Sequence, residues 1–183
     1  FDGVRAPMRL ERPAAFGPND EEIRLAAFRN INLEPGACPE AKFIFIEHLT
    51  RDVLWQPHLM THANTAIGLA EIGLCVSNVD AASERLGRLL DLTPKDAMPG
   101  AVQFTLRRGK VYVMNKAGMQ SWTPGVAPPC LPYVATIGFA VRDLDAARKH
   151  LADNSVSYTE HPYPAIWVGP QFTHGPVISF IQA

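Results

Sequence analysis

The sequence has 183 residues, of which 47% are hydrophobic and 19% charged, a balance that excludes a disordered chain. A formal charge of −1 with no dense Lys/Arg cluster excludes a general nucleic-acid binder, and no apolar run approaches the ~20 residues that span a bilayer. Cys38, Cys75 and Cys130 are odd in number and lack metal-knuckle or C-x-x-C spacing, and no signal-peptide pattern is present. They read as buried free thiols in a reducing cytoplasm, so a cytoplasmic protein with no nucleic-acid and no membrane partner is expected.

Residues 22–33 and 41–48 read as a pair of strands, with Ile23, Leu25, Phe43 and Phe45 at alternating positions. No strand and helix precede them, and two strands alone leave unpaired edges. The expectation is that residues 1–64 are the last strands and connector of an incomplete preceding domain. A missing N-terminal portion or a homo-oligomer partner would then complete the sheet. Residues 48–64 read as a short helix and a connector. His58 and His62 have the i, i+4 spacing of a helical zinc pair, but Pro57 and the absence of an H-E-x-x-H pattern favour a connector. Glu47 and His48 read as a strand end.

The next segment, Ile72-Gly-Leu-Cys-Val-Ser-Asn-Val-Asp-Ala-Ala82, recurs as Ile137-Gly-Phe-Ala-Val-Arg-Asp-Leu-Asp-Ala-Ala147, so one structural unit is built twice. Ile72, Leu74 and Val76 alternate with Glu71, Gly73, Cys75 and Ser77, which is the period of a strand with two different faces. Asn78 is a natural N-cap, and Val79, Ala82, Leu86, Leu89 and Leu90 follow at helical spacing. The second copy repeats this with Ile137, Phe139 and Val141, a cap at Asp143, and Leu144, Ala147 and Leu151. Strands over residues 101–107 and 110–115 flank Arg108-Gly109, where glycine supplies the positive φ of a tight hairpin. In the second copy residues 156–158, 165–168 and 176–181 read as shorter strands. Residues 65–183 therefore form a domain of two units, 65–130 and 131–183.

A duplicated strand–helix–strand–strand–strand unit carrying this phrase resembles the vicinal oxygen chelate superfamily, which includes glyoxalase I, bleomycin-resistance proteins and extradiol dioxygenases. The stretch Phe43-Ile-Phe-Ile-Glu-His-Leu-Thr-Arg-Asp-Val-Leu-Trp-Gln-Pro57, followed by Thr61-His-Ala-Asn64, resembles bacterial glyoxalase-like domain proteins. The resemblance implies an α+β fold in which paired βαβββ units form a cupped mixed sheet around a small organic ligand. The superfamily's metal positions match Glu71, Val113, Thr136 and Ser179, of which only Glu71 is a strong ligand. No cofactor is therefore expected in the C-terminal cup, and a divalent metal, if the protein has one, would belong to a part preceding this chain.

Strand alternation puts Glu71, Gly73, Cys75 and Ser77 on the face away from the helix, with Thr136, Gly138, Ala140 and Arg142 in the second copy. Two readings stand: small residues that leave a pocket, or small residues that permit close sheet packing. On the pocket reading the ligand-binding candidates are Glu71, Cys75, Thr136, Arg142, Ser179 and Trp167. His161 and His174 lie beside the last strands as titratable neighbours. No catalytic residue is singled out. The function expected is small-molecule binding in a cup without a metal. The alternatives are a metal-dependent lyase, isomerase or dioxygenase, and a degenerate domain serving structure or dimerisation. No G-x-S-x-G elbow, P-loop or dinucleotide fingerprint is present.

Overall fold

The computed structural model describes residues 1–183, which divide into two compact units, Phe1–Thr61 and His62–Ala183.

The first unit is a three-stranded antiparallel sheet of β1 (Met8–Phe16), β2 (Glu22–Asn32) and β3 (Ile44–His48), in that order. β1 was not expected from the sequence. Its Pro13 and its run of charges hide the strand pattern, yet proline is tolerated on an edge strand because no inward ladder bond needs its missing N–H. A short helix, α1 (Arg51–Leu54), drops Val53 onto Ala26 and Phe28 and makes the unit's small core. A single 3-10 turn follows at Pro57–Met60, as the connector reading anticipated.

The second unit is an eight-stranded mixed sheet. Its first copy runs β4 (Ala66–Cys75), α2 (Val79–Leu90), β5 (Lys95–Met98), β6 (Ala101–Thr105) and β7 (Lys110–Met114), then a helix, α3 (Lys116–Trp122). The second copy runs β8 (Tyr133–Val141), α4 (Leu144–Asp153), β9 (Thr159–Glu160), β10 (Ala165–Val168), a short α5 (Pro170–Thr173) and β11 (Val177–Gln182). The sheet order is β5-β6-β7-β4-β8-β11-β10-β9, with the two leading strands paired antiparallel at the centre. Each leading strand also pairs in parallel with the last strand of its own copy.

Both helices begin where the sequence places their caps: the Asn78 side chain accepts from the Ala81 N–H at 3.0 Å, and Asp143 from the Ala146 N–H at 2.9 Å. On α4, Leu144, Ala147 and Leu151 pack against Val141, Ile166, Val168 and Phe180, the outward row of the sheet. Burying one such large apolar side chain is worth about 1.5–3 kcal/mol before entropy is counted. Gly109 has φ +81°, and a Cβ there would lie 2.7 Å from the Ala70 carbonyl oxygen, so this hairpin requires glycine for conformation and for space.

Three sequence expectations are corrected. Residues 156–158 are not a strand; the pairing starts at Thr159, because Val156 and Tyr158 turn inward to pack on the α4 core. The strand β5 and the helix α3 are additions to the first copy. Cys38 and Cys75 are buried, whereas Cys130 is exposed in the Pro-rich loop before β8.

Candidate functional site

The concave face is set by strand register. Lys110, Glu71, Gly138, Ser179, Trp167 and Thr159 lie opposite one another in turn across β7, β4, β8, β11, β10 and β9. Residues directly opposite in a ladder share a face, so this is one row of side chains. The adjacent row holds Tyr112, Gly73 and Thr136. The two glycines are placed for a reason: Glu71 Cγ occupies the space a Gly138 side chain would fill, and Thr136 Oγ1 the space of a Gly73 side chain.

Above this floor is a cavity of about 730 Å³, lined by Glu71, Lys110 and Tyr112, by Trp122 from α3, by His161 and Tyr163 before β10, and by Trp167 among others. Its size is that of a small-molecule site. The Tyr112 and Trp122 rings meet edge to face with centroids 4.3 Å apart, and His161 stacks on Tyr163 at 4.6 Å. Beneath the aromatic walls the polar atoms are unsatisfied: Glu71 Oε1, Thr136 Oγ1, Ser179 Oγ and His161 Nε2 are buried without a hydrogen-bond partner. The Trp122 Nε1 donor in the wall is unpartnered as well, and because buried polar groups are nearly always paired, five orphans in one region mark a place built for something else to bond.

Burial pushes the Glu71 carboxyl up to about 7, against the opposing pull of Lys110. Burial, reinforced by Glu71, pushes the Tyr112 hydroxyl up to about 12. Burial likewise lowers His161 below the usual imidazole value. The site therefore combines a carboxyl that titrates near neutrality with phenols that remain protonated.

Of the residues expected to bind a ligand, Glu71 and Trp167 line the cavity, and Thr136 and Ser179 lie beneath it on the same face. Cys75 is fully buried in an apolar cluster with Tyr112, Met114 and Trp122, below the cavity wall. Arg142 is exposed past the end of β8, where its backbone bonds Thr65 and Gln182, and its side chain takes no part in the lining. Val113 is a misplaced match. It pairs with Leu74 on the helix-facing side, and the position equivalent to Ser179 is Tyr112, since Tyr112 faces Gly73 as Ser179 faces Gly138.

The other candidates lie elsewhere. His58 and His62 are exposed, and the first sits on the 3-10 turn. Glu47 pairs with Arg29 at 2.6 Å, and His48 packs edge-on to Phe28 and Trp55. His174 is the left-handed C-cap of α5. A further cavity of about 700 Å³ at the start of α2 has its asparagines, Asn78 and Asn115, already committed as helix caps.

Tyr112, Trp122, Tyr163 and Lys110 were missed in the sequence. Extending the Glu71/Gly73 alternation across the hairpin would have found Lys110 and Tyr112. No comparable signal existed for Trp122 or Tyr163, which come from a short helix and a proline-flanked loop.

No family model matches the chain, and no curated protein matches it. Among solved structures, a hypothetical protein from Staphylococcus aureus is similar with a TM-score of 0.59 at 8% identity, covering 98% of this chain and 57% of that one. Methylmalonyl-CoA epimerase from Mycobacterium tuberculosis is similar at 15% identity and a TM-score of 0.49, covering 67% of this chain and 92% of that one. A Streptomyces coelicolor methylmalonyl-CoA epimerase in complex with 2-nitronate-propionyl-CoA matches at 17% identity and a TM-score of 0.43, covering 64% and 98%. At 8% identity the likeness to the Staphylococcus aureus protein is one of fold alone.

The fold is a mixed sheet of paired βαβββ units, the architecture that the vicinal oxygen chelate resemblance implied. The four positions that the superfamily resemblance marks for a metal are, once register is respected, Glu71, Tyr112, Thr136 and Ser179. One carboxyl, one phenol held neutral and two aliphatic hydroxyls do not fit a divalent transition metal, which needs several imidazole, thiolate or carboxylate donors. Among the described residues no group of three or more His, Cys, Asp or Glu side chains converges to replace them. No helix is long and apolar enough to cross a membrane.

Proposed function

We propose that the vicinal oxygen chelate cup of residues 62–183 binds a small organic molecule directly through protein side chains. The apolar body of the ligand lies among Trp122, Trp167, Tyr112 and Tyr163, and its polar head sits over Glu71 with Thr136 and Ser179 beneath. The carrying observation is the buried, unpartnered oxygen on Glu71, which lines a cavity of about 730 Å³, together with those on Thr136 and Ser179, which lie on the same face of the sheet. Each such oxygen forfeits about 1–3 kcal/mol when left dry, a deficit that a bound head group or water relieves. A fragment screen on the whole chain, read by tryptophan fluorescence and thermal shift, tests this. Ligands should raise the melting temperature and lose that effect in Trp167→Ala; a screen without any saturable ligand would refute the assignment.

A second reading rests on the Glu71 carboxyl at about 7, the range in which a carboxylate serves as a general base near neutral pH. On that reading the cup is a lyase or isomerase that removes a carbon-bound proton, with the Tyr112 phenol donating to the developing oxyanion. Exchange of solvent deuterium into a screened ligand, abolished in Glu71→Gln, supports it; a ligand that binds and never exchanges tells against it.

A further inference from the structure

We infer that the head group taken by this cup is a positively charged nitrogen, an ammonium carried on an apolar or aromatic body. The inference rests on the small-molecule reading above and narrows it to one ligand chemistry.

The first argument is a census of what the floor offers. Glu71 is 7% exposed and lines the cavity, and its Oε1 is an acceptor without a partner. Thr136 Oγ1 and Ser179 Oγ, also unpartnered, can each accept. An ammonium brings donors and no acceptor, which complements three oxygens. A carboxylate or phosphate head brings only acceptors, and it would meet the Glu71 carboxyl with no arginine on the lining to offset the repulsion.

The second argument is the wall. Trp122, Trp167, Tyr112 and Tyr163 surround the same space, and aromatic faces carry partial negative charge that attracts a desolvated cation. The third is the one resident cation. Lys110 stands opposite Glu71 in the β4–β7 ladder but is exposed, and it leaves Oε1 without a hydrogen bond. The place beside the carboxyl is therefore open to an incoming cation.

The test is calorimetry on the whole chain with three probes of one skeleton: 2-(1-naphthyl)ethylamine, 2-(1-naphthyl)ethanol and 3-(1-naphthyl)propanoate. The amine should bind about tenfold or more tighter than the alcohol, with the carboxylate weakest, and Glu71→Gln should remove the amine's advantage. In the unmodified protein, the amine's affinity should also rise about tenfold from pH 6 to pH 8, because the apparent affinity follows the ionised fraction of Glu71. The titratable groups that share the cavity with that carboxyl are Lys110 and Tyr112 on β7 and His161 and Tyr163 before β10, while Glu160 on β9, at its border, is paired with Arg148 at 2.7 Å. Of these, burial holds both tyrosines at about 12, so neither changes charge across the window, and it lowers His161 from its usual value. Equal binding of amine and alcohol, a preference for the carboxylate, or a pH-independent amine affinity would overturn the ammonium assignment and leave the small-molecule reading standing. No binding by any of the three at millimolar concentration would overturn both.

Discussion

Ile72 and Ile137 face each other across the antiparallel β4–β8 pair, and they are the same residue of the two copies. A local two-fold axis therefore passes between them, and the pairings from Gly68 to Cys75 on β4 are related to one another by it. Glu71 opposite Gly138 corresponds to Thr136 opposite Gly73, and Leu69 opposite Phe139 corresponds to Val134 opposite Leu74. Two of the three irregularities are related as well, since the register slips between Leu69 and Glu71 and again between Gly73 and Leu74, while the slip between Ala66 and Gly68 stands alone. The two glycines in the floor follow from this symmetry: each copy supplies a polar side chain and the gap that accommodates the other copy's.

Gly138→Ala should separate binding from stability. A Cβ at Gly138 would fall on the Glu71 side chain, 3.1 Å from both Cδ and Oε1, whereas one at Gly73 would strike Thr136 and approach the Met114 methyl at 2.9 Å. Each variant should lose about 1–3 kcal/mol to overpacking, measured by urea denaturation. The naphthylethylamine affinity should fall further in Gly138→Ala than in Gly73→Ala, because only the first displaces the carboxyl.

Glu71 should make the protein less stable as pH rises. The folded carboxyl keeps its proton up to about 7, while an unperturbed one releases it at 4.5, so the folded state holds more protons between those values. The resulting stability is complete below 4.5 and lost as pH rises through about 7, with a ceiling of about 3 kcal/mol. Glu71→Gln should therefore unfold close to the parent protein at pH 4.5 and at a temperature several degrees higher at pH 8. His161 is shifted the opposite way and is present in both proteins, so the comparison isolates Glu71. Parallel melting curves across the range would contradict the assignment of a buried, unrelieved charge.

The two caps provide a test of the duplication. Asn78→Ala and Asp143→Ala should each cost about 1 kcal/mol in chemical denaturation, because each removes the capping acceptor of its helix's first turn. Additive losses in the double variant are expected for separate helices.

Much of the second unit was legible because symmetry and alternation are properties of the chain itself. The period of Ile72, Leu74 and Val76 gave both the strand and its inward face, and Asn78 and Asp143 gave the helix starts. Val113 was misassigned because parallel register depends on where β7 docks beside β4, a tertiary fact that no local pattern encodes. Arg142 was drawn into the cup by alternation alone, but the strand ends at Val141 and the chain turns out to its cap, Asp143, two residues later. The aromatic wall was invisible for a related reason. Trp122 and Tyr163 reach the cavity from a seven-residue helix and a proline-flanked loop, where position is set by packing rather than by period.

In the first unit, β3 is an edge strand whose Ile44, Phe45 and Ile46 are 42%, 38% and 50% exposed. Three consecutive exposed apolar residues on an unpaired edge are a template for pairing with another strand. The chain should associate with rising concentration in light scattering, and Ile46→Lys should suppress it. A compact monomer for the parent at about 100 μM would refute this expectation.

The near-identity of backbone around the Ile72–Ile137 axis throws the difference in side chains into relief. A cup furnished alike on both halves would accept a guest in two poses related by half a turn, and could not tell one end from the other. Here the half built on β4 and β7 presents an acid and a phenol, while the half built on β8 and β11 presents two small hydroxyls. A guest with one cationic end then has a single favourable orientation, and its two faces meet chemically different walls. The divergence of the floor residues thus removes the two-fold equivalence of the duplicated scaffold at its centre, and with it the ambiguity between two poses.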